Sequence, residues 1–83
     1  MYKLNGNYAA ALADFDRAIE LDNQHASSFV GRGQTYQFMG NYAAAMADFD
    51  HAIELAPNND RLIYYRALLS RLLNREESAQ RNL

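Results

Sequence analysis

Gly6–Leu21 reads GNYAAALADFDRAIEL, and Gly40–Leu55 reads GNYAAAMADFDHAIEL. Fourteen of these 16 positions are identical, at an offset of 34 residues. The two exchanges, Leu12 for Met46 and Arg17 for His51, keep one position apolar and the other polar. A fixed period of this length implies stacked units, each hiding its apolar face against a neighbour. Within the first copy, Tyr8, Ala11, Leu12, Phe15, Ala18 and Ile19 recur at i, i+3, i+4, i+7. That is the apolar face of a helix, with Asp14, Asp16, Arg17 and Glu20 mainly opposite. The second copy repeats it with Tyr42, Ala45, Met46, Phe49, Ala52 and Ile53.

Working outward, the linking segments are helical too. Phe29, Gly33, Tyr36 and Met39 share one face of residues 26–39. Ile63, Ala67, Ser70 and Leu73 share one face of residues 60–73. Each copy opens at Gly-Asn, where glycine ends one helix and Asn7 or Asn41 caps the next. Pro57, Asn58, Asn59 and Asp60 read as a stop followed by a start. The spacing therefore predicts helices at about 7–22, 26–39, 41–55 and 60–73, and a fifth from about 75. Short connections force neighbouring helices antiparallel.

Length and composition bound the rest. Eighty-three residues hold one domain at most. Hydrophobic residues are 49% and charged residues 22%, ordinary for a globular chain rather than a disordered one. The net charge of −2 provides no global basic field for nucleic acid. With no cysteine there is no disulfide, thiolate metal site or cysteine nucleophile. No apolar run approaches the roughly 20 residues of a membrane span. No export sequence is visible in residues 1–12, and a cytoplasmic location is expected.

Candidate chemistry is sparse. His25 and His51 have no partner at recurring ligand spacing, and His51 shares its position with Arg17, as on a solvated face. The acids Asp14/Asp16 and Asp48/Asp50 are two apart, which on a helix turns them about 200° from each other and prevents joint ion binding. Gly31–Gly33 reads GRG, but it lacks the preceding strand and the lysine of a phosphate loop. No catalytic residue, metal or cofactor is expected. Arg32 and Arg66 lie 34 apart beside the packed seam, where a cation needs a partner or a route to water. The repeated aspartates are the natural partners, and a ladder of ion pairs is expected. Charge is split: residues 1–59 carry three basic and seven acidic side chains, residues 60–83 five and three. Arg61, Arg66, Arg71, Arg75 and Arg81 make the second segment basic, suited to an acidic peptide and to head-to-tail attraction between copies.

A 34-residue helix–turn–helix unit with Phe29, Gly33, Tyr36, Gly40, Tyr42, Ala45, Phe49, Ala52 and Pro57 at these positions resembles a tetratricopeptide repeat. The resemblance implies an all-α fold, an α-α superhelix or right-handed solenoid. It implies a partial first repeat over 1–25, a complete repeat over 26–59, and a partial third repeat or capping helix over 60–83. Tyr2 falls where the family has tyrosine, and Ala67 and Ala79 match its small positions. Asn74 and Ser70 depart from the turn glycine and the aromatic. The resemblance further implies a non-enzymatic scaffold that binds a protein or peptide on its concave face. Carried over by position, that face is Ser27, Val30, Gln34, Gln37 and Phe38, then Arg61, Tyr64, Leu68, Arg71 and Leu72. Val30 and Gln34 stand where one branch of the family has the lysine and asparagine of a carboxylate clamp, which argues against that clamp. Binding of single-stranded RNA, as in a related helical repeat, would need a basic groove that the first two units lack. Because repeats of this kind cover one another, the helix at 7–22, without a partner helix, leaves Tyr8, Leu12 and Phe15 partly bare. Association of copies, a homo-oligomer such as a dimer formed through open repeat ends, is the alternative function.

Overall fold

The computed structural model describes the backbone of residues 4–81 and the side chains of residues 7–75. Four helices follow in order: α1 Leu4–Leu21, α2 Ala26–Phe38, α3 Tyr42–Leu55 and α4 Asp60–Arg81. Each packs on the next, α2 most extensively on α3.

The turn from α2 to α3 shows how the sequence fixes a hairpin. Gly40 adopts φ +84°, a left-handed conformation that costs other residues about 1–2 kcal/mol. Its N–H donates to the Gln37 carbonyl at 3.0 Å, and that of Asn41 donates to the Tyr36 carbonyl at 2.9 Å. These two bonds satisfy carbonyls left over at the helix end. Asn41 Oδ1 then accepts from the Ala44 N–H at 3.4 Å and starts α3. At the next junction α3 stops at Leu55, and Asn59 Oδ1 accepts from the Arg61 N–H at 3.1 Å as α4 begins.

The core lies among α2, α3 and α4. Phe29, Ala52 and Leu62 form one buried cluster, with Ile19 of α1 against it. Ala45, Phe49 and Leu69 form the other. Phe49 is fully buried, its ring 3.0 Å from where a Cβ on Gly33 would stand. A Cβ there would need the ring to give by a few tenths of an ångström, so a small residue sets how closely α2 and α3 approach. Across the unit boundary the same ring meets Tyr65, centroids 6.2 Å apart. Each such side chain contributes about 1.5–3 kcal/mol through burial.

Three expectations are corrected. First, the twin Gly-Asn dipeptides differ in structure. α1 runs from Leu4 straight through Gly6 and Asn7, so Asn7 caps nothing. The fold-back of α2 onto α3 imposes the turn at Gly40, and among the described residues nothing equivalent acts on Gly6. Second, no fifth helix forms among the described residues. Asn74 replaces the turn glycine, no described residue other than Gly40 has positive φ, and α4 continues to Arg81. Third, the buried face of α4 carries Leu62 and Leu69, with half-buried Tyr65 between them. Ile63 is 49% exposed and Ala67 is exposed, because the side they share points away from α3 and no helix folds back over it. On α2, Phe29 and Gly33 are buried as expected and Met39 is half exposed. The expectations for Tyr2 and Ala79 lie outside the described residues.

Candidate functional site

Arg32 is the best-anchored polar side chain. Its Nε and Nη2 donate to the two carboxylate oxygens of Asp48 at 2.9 and 2.7 Å. Its Nη1 donates to Asp16 at 2.8 Å. One guanidinium thus ties α2 to α3 within a unit and to α1 of the preceding unit. Asp48 is only 5% exposed and owes its burial to this forked partner. The hydrogen bonds it donates to Asp48, against opposing desolvation and aided by Asp16, hold the Arg32 pKa above its ordinary value. Phe29 lies beneath, 5.7 Å from the guanidinium carbon, and His51 stacks on the same ring at 4.2 Å. Arg66 makes the next rung by donating from Nε to Asp50. The ladder foreseen from the 34-residue spacing is present, and it braces the seam.

Two clefts run between α2 and α4. The first, about 430 Å³, is lined by Ser27, Val30, Gln34 and Arg61, with Leu62, Tyr65 and Asn59. The second, about 530 Å³, is lined by Gln37, Leu68 and Arg71, with Leu72, Asn74 and Arg75. Tyr64 lies apart, in a depression on α4 that it shares with Ala67, Leu68 and Arg71. Phe38 lines none of the three; it is 71% exposed and its ring is stacked 6.4 Å from Tyr8 of α1. Eight of the ten positions expected on the concave face therefore meet in the two clefts. Asn74 and Arg75 were not expected there. They reach the second cleft because α4 does not turn at Asn74, and residue spacing alone gives no sign of that.

The lining has a consistent chemistry. Arg61, Arg71 and Arg75 are exposed, and no carboxylate lines any of the three depressions. Val30, Leu62, Leu68 and Leu72 supply apolar floor. Among the described residues no three potential metal ligands cluster. No helix among them is long and apolar enough to cross a membrane.

Family comparison fits this geometry. Residues 26–59 match a tetratricopeptide repeat model, and residues 1–25 match a second model of the same repeat. The chain belongs to the tetratricopeptide repeat family. Comparison with curated proteins gives no match. Tetratricopeptide units are helix–turn–helix repeats that stack into a solenoid, and proteins built from them are typically non-enzymatic and mediate protein–protein interaction. In tetratricopeptide terms α2 and α3 are the two helices of one unit. α1 lies within the second matched segment.

Proposed function

We propose that the α2–α4 groove binds an extended peptide carrying acidic side chains beside an apolar one. In this reading residues 26–59 are the complete repeat, flanked by partial repeats at 1–25 and 60–83. The observation that carries it is the groove's one-signed lining: three arginines, amides and leucines, with no carboxylate. Such a surface selects by charge and gains affinity by burying an apolar anchor. Arg61 and Arg71 meet the acids, Gln34 and Gln37 meet peptide backbone, and Val30 and Leu68 receive the apolar side chain. Tyr64 and Phe38 flank the groove and are not needed for it. Calorimetric titration with an acidic, leucine-containing peptide and with its lysine counterpart tests this. The acidic peptide is expected to bind, to lose about tenfold in affinity on Arg71→Glu, and to weaken with salt. Equal binding of the two peptides would refute the reading.

A second reading, self-association as the function, is favoured by one observation. Ile63 and Tyr64 of α4 are 49% and 61% exposed on a helix whose opposite side is core.

A further inference from the structure

α1 and α4 leave complementary groups unmatched among the described residues. Arg32 holds two acids, Asp48 of its own unit and Asp16 of the preceding one. Arg66, 34 residues later, holds only Asp50 among the described residues, the repeat-mate of Asp16, and stays 49% exposed. The repeat-mate of Asp48 is Asp14 on α1. Asp14 is exposed and makes no ion pair among the described residues, although Asp48 is buried.

The apolar contacts tell the same story. Phe49 packs on Gly33 within its unit and on Tyr65 across the unit boundary. Its mate Phe15 has only the second kind of contact. The Phe15 ring fills the notch at Gly31, 2.3 Å from where a Cβ there would sit, and Phe15 remains half-buried. On α4, Ile63 and Ala67, the mates of Phe29 and Gly33, are exposed. So α1 is near-identical in sequence to the helix that α2 binds, and α4 keeps α2's pattern of apolar residue, arginine and small residue at 63, 66 and 67.

We propose that α4 of one copy docks on α1 of a second copy as α2 docks on α3. Arg66 then pairs with Asp14 of the partner copy, and Ala67 meets its Phe15. The contact forms a composite repeat from two chains and continues the ion-pair ladder through the joint. It is head-to-tail, so copies add in line or close into a ring. This inference rests on the self-association reading and adds its register.

Sedimentation equilibrium of the full chain, from micromolar to millimolar, tests it with Asp14→Arg and Arg66→Glu. The wild-type mean mass is expected to rise with concentration. Each single variant is expected to associate at least about tenfold more weakly, since it sets like charges opposite each other. An equimolar mixture of the two variants is expected to recover association, because every joint between unlike variants again pairs opposite charges. Arg66→Gln, which removes the charge but keeps a polar, helix-favouring side chain, is expected to weaken association while circular dichroism remains that of the wild type. Wild-type association without loss in the single variants, or loss without recovery in the mixture, would overturn the register while leaving self-association standing. A monomeric wild type at millimolar concentration would overturn both.

Discussion

Arg32 shows how much one side chain settles in a chain this small. Its bidentate grip allows Asp48 to be buried, so removing it strands a carboxylate. Arg32→Leu is expected to lower stability by about 2–3 kcal/mol, the low end for a broken buried pair because Arg32 keeps some solvent contact. Adding Asp48→Leu is expected to restore most of that, because the pair is then replaced rather than broken. Thermal unfolding of the two variants checks both. Asp16→Ala removes only the exposed arm and is expected to cost under about 1 kcal/mol. The raised pKa of Arg32 adds no pH dependence in the usual range. Stability from a raised cation is complete below arginine's ordinary value and is lost only as pH rises through the still higher folded value. The partners of Arg32 were legible because arginines and aspartates recur at the same period of 34. The burial of Asp48 was not, since a helix pattern does not say which of two nearby acids lies under the guanidinium.

At the scale of elements, near-identical sequences meet different fates. α3 is covered on both sides and its Phe49 is fully buried, whereas α1 is covered on one side and its Phe15 is half-buried. Phe49→Ala is expected to cost about 3–5 kcal/mol, and Phe15→Ala about half of that, because less surface leaves water in the second case. Paired denaturant titrations of the two variants measure the difference. A result with equal costs would mean that α1 is as enclosed as α3. The existence and order of the helices from 7 to 73 followed from periodicity, and the α2–α3 turn from Gly40 and Asn41. The ends did not. Gly6–Asn7 and the run through Asn74 are decided by whether a neighbouring helix packs back, which is tertiary information absent from the local pattern. The same cause explains the misread face of α4. Ile63 and Ala67 belong to a helix pair that does not form among the described residues, and Leu62 and Leu69 belong to one that does.

For the whole molecule, the groove and the ladder occupy different parts of the stack. The ladder closes the seam among α1, α2 and α3 and reaches α4 at Arg66. The clefts lie between α2 and α4. Eight groove positions were legible from family position, because α2 and α4 stand one 34-residue period apart and present corresponding turns to the groove. Arg75 and Asn74 join the groove only because α4 runs on. The account depends on the hairpin stack itself, with Phe49 seated on Gly33 inside a unit and Phe15 seated on Gly31 between units. Nuclear Overhauser contacts in the isotope-labelled chain read these two seats directly. The stack predicts strong contacts from the Phe49 ring to the Gly33 Hα and from the Phe15 ring to the Gly31 Hα. A Phe49 ring without contact to Gly33, or a Phe15 ring without contact to Gly31, would contradict it.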